Sequence, residues 1–380
     1  MKRANSLLGR IFSSTLLLLN LGAIIWLLLC YAASVLSPIE VGYFTFFSLT
    51  TPFAILVNLI FIALWLLTRG KWRALFSIAI LVICWKLVSS VLGFNFFSSD
   101  DWVKGPERLK VISWNVHAMG AFDRTHEKQN AREIMDFLEA EDADLLCLPE
   151  YALHADPVKR TYTPEIKKRN GYSFFHFSED NDYGQAIKLG TAIFSRYPVV
   201  YKKNHPLGKY IYMVQCDLKL PNDRVISVYT LHLQSFGLSD NDKDLFEEAR
   251  QKRNADALSE KSRSYAWKFR RAYERRASEA EIAARIISSG KHPAIVCGDL
   301  NDLPFSYTYN TIRGDLRDVF ADKGAGFGRT YNRIVPTLRI DYILYDGEAF
   351  SLKAFKTPYT EASDHNPVIA NFELVDPGER

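Results

Sequence analysis

Four short stretches of this sequence end apolar runs in side chains that can hold a metal ion or a phosphate. They are Val111-Ile-Ser-Trp-Asn115, Leu145-Leu-Cys-Leu-Pro-Glu150 and Ile295-Val-Cys-Gly-Asp299-Leu-Asn301-Asp302, with Ile340-Asp341-Tyr-Ile and the later Ser363-Asp364-His365-Asn366-Pro367 forming the fourth. A buried strand fixes the side chain at its end, which is what catalytic geometry requires. Carboxylates and carboxamides are hard oxygen donors, suited to Mg²⁺, Mn²⁺ or Ca²⁺ rather than to zinc. No CxxC pair or Cys/His cluster occurs, and the five cysteines all lie in apolar runs, where they read as buried free thiols.

The elements that must carry these residues alternate between strand and helix. Strand-like runs are Leu109–Asn115, Leu145–Leu148, Ala192–Phe194, Tyr210–Leu220, Val225–Leu233, Ala294–Cys297, Ile340–Leu344 and Val368–Phe372. Gln129–Glu139 has helical spacing, with Ile134, Phe137 and Leu138 on one face. Residues 240–291 carry 13 basic and 10 acidic residues, no proline and one glycine, which predicts one long helix or a helical pair. Within it, Lys261–Arg276 has seven cations and one acid, interleaved with Tyr265, Trp267, Phe269 and Tyr273. Such a patch fits nucleic-acid phosphates, anionic lipid headgroups or plain solvation.

The net charge of +4 divides unevenly. The first 98 residues hold seven Lys or Arg and one acid, Glu40; the remaining 40 basic and 42 acidic residues leave the rest at −2. A broad basic groove for DNA is therefore not visible in the composition. Residues 11–39 and 41–68 are free of charge, and each window exceeds the roughly 20 apolar residues that cross a bilayer. Spans are expected at Leu16–Leu36 and Phe44–Leu67, with a third at Ala74–Phe94. The third contains Lys86, which costs about 3 kcal/mol near a helix centre unless it snorkels. A helix lying along the bilayer surface is the alternative for that segment. The first apolar run is long and Tyr31-Ala-Ala33 fits a cleavage site poorly, so an uncleaved anchor is expected. Lys2, Arg3 and Arg10 precede the first span, and Arg69, Lys71 and Arg73 separate the second from the third. Three spans then place residues 99–380 outside the cytoplasm (the periplasmic side in a bacterium), and two would place them inside. The expected division is a membrane region, 1–98, and a catalytic domain, 99–380, with 240–291 as a charged helical insertion.

The site stretches resemble the endonuclease/exonuclease/phosphatase superfamily, the DNase I-like group. The matching pieces, in the family's order, are Ser113-Trp-Asn115, Pro149-Glu150, Gly190-Thr-Ala-Ile-Phe-Ser-Arg-Tyr-Pro198, Thr230-Leu-His232-Leu, Gly298-Asp-Leu-Asn301, Asp341-Tyr-Ile and Ser363-Asp-His-Asn-Pro367. They cover about Leu109 to Phe372. The resemblance implies an α+β fold, a four-layer α/β/β/α sandwich with the site at one end of two mixed sheets, here preceded by transmembrane helices. It implies Glu150 as the principal ligand of Mg²⁺ or Mn²⁺, with Asn115 beside it and Asp364 adding a carboxylate. It implies His365 paired with Asp341, Asp299 as a proton-transfer group, Asn301 as a hydrogen-bond donor and His232 at the phosphate or leaving group. The implied reaction is in-line attack of water on phosphorus.

Taken alone, Asp299 and Asn301 would read as caps of a helix near Pro304, and His232 as structural. His117 has no role implied by the resemblance and reads as structural. Arg196 and Tyr197 read as sheet supports. No acidic partner for His232 is visible in sequence, and a histidine rather than a tyrosine at that position argues against the abasic-site enzymes. The expected function is metal-dependent phosphodiester or phosphate-ester hydrolysis, nuclease-like; the alternatives are a lipid-headgroup phosphodiesterase and a non-catalytic membrane receptor. The expected partners are a phosphate-ester substrate (nucleic acid, or a phospholipid or sphingolipid headgroup) and the bilayer, with no protein partner.

Overall fold

The structure is a computed structural model that describes residues 7–68, 70–97, 99–120, 127–154, 162–182, 187–236, 255–333 and 338–375. Two apolar helical segments, Ile11–Val35 and Pro38–Leu66, are long enough to cross a membrane. The second begins as a short turn and a 3₁₀ stretch, Gly42–Thr50, before the α-helix Thr51–Leu66 with Pro52 in its first turn. The third expected span is present as a broken element that can still count as one crossing. It is two helices, Ala74–Ile83 and Trp85–Val91, bent by 77° at Cys84. Lys86 lies beyond the bend, with Nζ 3.5 Å from the carbonyl oxygen of Gly314.

In a bilayer, apolar side chains alone would give little preference for helix over lipid, and buried polar contacts tie this bundle together. The Asn20 amide donates to Ser77 Oγ (2.7 Å), Ser77 donates to Asn58 Oδ1 (3.0 Å), and Trp65 Nε1 donates to Asn20 Oδ1 (2.9 Å). These residues are fully buried or nearly so, and they join the first, second and third segments. The Arg73 guanidinium reaches Ser13 at one end of the bundle, and Cys84 joins Leu27 and Cys30 near the other. Between Ser13 and Cys30 the first helix advances about 25 Å.

Two mixed sheets follow. One orders its strands Arg317–Asp318, Asp341–Tyr345, Ala294–Asp299, Val225–His232, Ile211–Lys219 and Val199–Gly208. The other orders Phe350–Lys356, Val368–Leu374, Arg108–Ser113, Leu145–His154, Ile187–Ser195 and Phe174–Phe177, with the short Asn181–Asp182 also on Ile187–Ser195. Each sheet has one parallel pair at its centre, Ala294–Asp299 with Val225–His232 and Arg108–Ser113 with Leu145–His154. Alternate side chains meet between the sheets, Val111, Leu145 and Ile193 against Val214, Val228, Ile295 and Ile343. The opposite faces are covered by the helix Glu127–Glu141, through Ile134 and Leu138, and by the 34-residue helix Ala255–Ser288, through Ala280 and Ala283. This is the expected four-layer sandwich. All five cysteines are buried and unpaired.

The sandwich is docked on the end of the bundle that holds Ser34 to Phe46. Asn310 donates to the Ser34 carbonyl (3.1 Å), Arg339 to that of Ser90 (2.9 Å), and Ser37 to Glu281 (3.2 Å). Gly93–Phe94 pairs antiparallel with Ala325–Gly326. Phe305 packs among Leu27, Cys30, Ile80 and Leu87, with Leu303 beside it.

Candidate active site

The site forms where the ends of the two sheets meet. In the first sheet Asp299 stands in register with His232 on one side and Asp341 on the other, so three site residues share one rung. Gly298 permits this. Its φ is +139°, and a Cβ there would run into the carbonyl oxygen of Leu231. In the second sheet the strand of Glu150 bulges between Leu148 and Tyr151, and Glu150 adopts φ +50°. A left-handed glutamate at a bulge is strained, and the bulge re-aims its carboxylate toward the first sheet. Asn301 (φ +49°) and His117 (φ +43°) are held in the same unusual region.

Asn115 bridges the sheets, its Nδ2 donating to Glu150 Oε1 and to Asp299 Oδ2, both at 3.1 Å. Its Oδ1 accepts from the backbone N–H of His117 (3.1 Å). The Ser363–His365 loop is tied down from below. Ser363 Oγ donates to the Asn115 carbonyl (2.8 Å), and Trp114 Nε1 donates to that of His365 (2.8 Å). His365 Nδ1 lies 2.8 Å from Asp341 Oδ2 and its Nε2 lies 3.8 Å from Asp299 Oδ2. Burial opposes charge on His365, but Asp341 and Asp299 outweigh it and push its pKa up to about 10. Burial and the neighbouring Asp341 lift Asp299 to about 6, against the pull of His365 and His232. Asn301 Nδ2 donates to the Leu233 carbonyl (2.9 Å) and lies 3.0 Å from His232 Nε2, which is itself 3.4 Å from Glu150 Oε1. Desolvation opposes ionisation of Glu150, yet His117, His232 and His365 hold its carboxyl well below the usual range. Asp299 and Asn301 do not cap the next helix; Ser306 does, accepting from the N–H of Tyr309.

The structure thus brings Asn115, Glu150, His232, Asp299, Asn301, Asp341, Asp364 and His365 to one place. It adds residues that the sequence reading left out. His117 is not a remote structural residue, because its Nδ1 lies 3.6 Å from Glu150 Oε2 and 3.5 Å from Asp364 Oδ1. The Glu150 carboxylate above all raises its pKa, and Asp364 adds to this. Asp180 accepts from Ser178 (2.7 Å), and burial lifts it to about 6 while the charge of His232 works the other way. A cavity of about 300 Å³ is lined by Glu150, Asp180, Gly190, Lys209, Tyr210 and His232. Arg333 Nε reaches Asp364 Oδ2 at 3.3 Å on the opposite rim.

Glu150, with Asp364 near it across His117, offers hard oxygens to a divalent cation. Asp364 Oδ1 is buried and makes no hydrogen bond among the described residues, which leaves a lone pair free to join such an ion. The donor set fits Mg²⁺ or Mn²⁺. A second group, Asp299, Asp341 and His365, also has ligand atoms within 4.8 Å of one another. The Asp341–His365 hydrogen bond engages one ring nitrogen there, and the group is better described as a buried charge network.

The long helix enters the site through Arg276. Grouping Arg276 with the exposed cations of Lys261–Arg276 is corrected, because its side chain is fully buried. Nε lies 3.3 Å from Asp302 Oδ2, Nη1 donates to the Gln234 carbonyl (3.1 Å), and the guanidinium lies over Phe236 and Tyr273 at 4.1 and 4.8 Å. It therefore ties the segment after His232 to the segment after Asn301.

A family model described as the endonuclease/exonuclease/phosphatase family matches residues 112–365, and one for a domain of unknown function matches residues 13–91. No curated protein sequence matches the chain. The human Nocturnin catalytic domain with bound sulfate superposes with a TM-score of 0.51 at 20% identity, over 73% of this chain and 98% of its own. A family protein from Bacteroides thetaiotaomicron gives 0.52 at 18%, over 71% and 98%. ANGEL2, a 2′,3′-cyclic phosphatase, gives 0.50 at 16%, over 73% and 99%.

Proposed function

The chain belongs to the endonuclease/exonuclease/phosphatase family and is a phosphoric ester hydrolase; from that premise we propose a membrane-anchored, metal-dependent phosphodiesterase or phosphatase. The observation that carries the reading is the convergence of the two sheet ends on one space, with the Glu150 carboxylate on one side and the His232–Asp299–Asp341 rung on the other. Glu150 and Asp364 would hold Mg²⁺ or Mn²⁺, which when bound neutralises phosphate charge and polarises water. Asp299, near 6, can take a proton from an attacking water close to neutral pH. His365, kept cationic by Asp341, faces the phosphate oxygens with Nε2–H. His232, at the mouth of the cavity beside Glu150, is placed for the leaving group.

We divide the chain into a membrane region, 1–98, and the catalytic domain, 99–380. The domain docks at the bundle end away from Lys71 and Arg73, so positive-inside logic favours an extracytoplasmic domain. A lipid-headgroup substrate is favoured over nucleic acid by one observation. Leu303 and Phe305, just beyond Asn301, pack onto the membrane helices, which sets the site against the bundle end.

The test is a hydrolysis screen over DNA, RNA, sphingomyelin, phosphatidylinositol and a simple phosphodiester. EDTA should abolish turnover, Mg²⁺ or Mn²⁺ should restore it, and Glu150→Gln should lower it at least about a hundredfold, roughly 2.7 kcal/mol of barrier. Undiminished activity in EDTA, or in Glu150→Gln, would overturn the metal reading.

A further inference from the structure

We infer that the outer face of the helix Ala255–Ser288 is a binding surface for the headgroup layer of an anionic bilayer, gripped by Arg263, Trp267, Arg271 and Arg275. The inference does not depend on which phosphate ester is cleaved. Four observations carry it.

The four residues recur every fourth position and so form one stripe along the helix. All four are exposed, Trp267 by 54%, and the Arg271 guanidinium lies over the Trp267 ring at 5.3 Å. An indole flanked by arginines has an apolar body for the acyl boundary and cations for phosphate.

The stripe carries no acid. From Glu274 onward the acids of this helix are engaged elsewhere. Glu274 pairs with Arg270 (2.7 Å), Glu279 accepts from the N–H of Gln234 (3.0 Å), and Glu281 accepts from Ser37 and Tyr307. Arg275 stands close enough to Glu279 to favour its charged form, and Arg263 and Arg271 are left facing outward.

The helix meets the apolar bundle at its docked end. Arg270 sits over Tyr43 at 4.8 Å, Tyr273 meets Phe46 at 6.0 Å, and Glu281 reaches Ser37. The neighbours of that contact, Ile39, Tyr43 and Phe47, expose 51, 48 and 36% of their surface, an apolar and aromatic fringe suited to lipid. At about 100° per residue, Arg263 and Trp267 fall on the same half of the helix as Arg270, Tyr273 and Glu281, while Arg271 and Arg275 turn progressively away from it, so the grip rests on the N-terminal part of the stripe. The helix continues N-terminal to Arg270 through Trp267 and Arg263, whose side chains are exposed beyond the last contact with the bundle among the described residues.

A second patch beside the dock agrees. Trp85 stacks on Phe94 at 5.5 Å, and both are exposed, as are Phe96 and Phe97. Aromatic rings gathered at one end of a membrane bundle mark the interface. The sandwich then rests on the bilayer along two sides, an aromatic one and a basic one.

The experiment uses the full chain in proteoliposomes. Trp267→Cys carries a nitroxide; the native thiols are buried, so the label goes to the new one. Asp223→Cys, in the exposed turn between Ile211–Lys219 and Val225–His232, is the aqueous control. In vesicles with about a third anionic lipid, the label at 267 should be at least about twofold less accessible to a water-soluble relaxation agent than the label at 223, and correspondingly more accessible to oxygen. Neutral vesicles, or Arg263→Gln with Arg271→Gln, should reverse most of that difference. Equal aqueous accessibility at both positions would overturn the proposal, and so would immersion that ignores lipid charge. Neither result bears on the hydrolase reading, which Glu150→Gln tests separately.

Discussion

Replacing Arg276 by methionine probes the link between the long helix and the catalytic loops. Methionine keeps much of the length and the contact with Phe236 and Tyr273 but removes the charge. The Asp302 carboxylate, 1% exposed, then loses its counter-ion; its Oδ1 keeps only the N–H of Leu303 (2.9 Å), and the Gln234 carbonyl loses a donor. Removing one partner of a buried pair costs about 3–5 kcal/mol. At roughly 2–4 °C per kcal/mol for a domain of this size class, melting should fall by about 6–20 °C. Adding Asp302→Asn removes the stranded charge and should recover most of that loss, because the destabilisation is the orphaned carboxylate and not the missing attraction. Catalysis should respond differently. Gln234 lies two residues past His232, and Asp302 follows Asn301, so loosening the clamp lets two site residues drift. A displacement of about 1 Å can cost a hundredfold. At a temperature well below melting, kcat of Arg276→Met should fall roughly tenfold to a hundredfold with KM changed less than about threefold, and the double variant should regain stability without regaining kcat. An unchanged melting temperature would refute the buried-pair argument. A normal kcat in a destabilised variant would reduce Arg276 to a part of the core.

Two further outcomes follow from charge placement. Glu141 is desolvated, but hydrogen bonds from Lys356 (2.8 Å) and Lys110 (2.9 Å) overcome that and hold its carboxyl below the ordinary 4.5. An acid with a depressed folded pKa stabilises above its unfolded pKa and loses that contribution as pH falls through the folded one. Glu141→Gln should therefore melt a few degrees below wild type at pH 7, about 1–2 kcal/mol, and the gap should close as pH falls below the ordinary 4.5; a gap independent of pH would contradict the pairing. A reporter active only outside the cytoplasm, fused after Arg380, should be active, and one that works only in the cytoplasm should be silent; the reverse would mean that an even number of segments crosses.

The central strands were legible because the runs that build the sheet centres are apolar on both faces; the layer architecture came from the family resemblance of the site stretches, and the order of strands within each sheet was not legible. The missed strands are informative. Val199–Gly208 is an edge strand with exposed Tyr201, Lys202 and Lys203, so it lacks the apolar run that marks a central strand. Phe350–Lys356 is broken by a bulge at Lys353 that spoils its alternation. In the site, the residues at strand ends were visible from type and spacing. His117, Asp180 and Arg276 were not. Each acts through a partner far away in sequence, Asp364 and Glu150 for His117, His232 for Asp180, Asp302 and Gln234 for Arg276. The left-handed φ of His117 carried no sequence mark, since glycine is the residue that normally signals it.

The third apolar segment shows why a charge count alone left its course ambiguous. As one straight helix from Ala74 to Phe94 it would carry Lys86 inside the bilayer, at about 3 kcal/mol. The bend at Cys84 removes that conflict. Ala74–Ile83 runs beside the second helix and brings the chain from the level of Ser13 to that of Cys30. After the bend, Leu87, Val88 and Val91 stay in the apolar cluster while Lys86 turns to the carbonyl of Gly314 and Ser90 accepts from Arg339. The second half is thus as much a docking element of the sandwich as a piece of the bundle. Its apolar face made it look like membrane, and its single lysine marked the place where the chain leaves the bundle for the catalytic domain. That same half lies against Phe305, four residues beyond Asn301, so the path from the apolar N-terminal helices to a site residue is one packed cluster and one short loop.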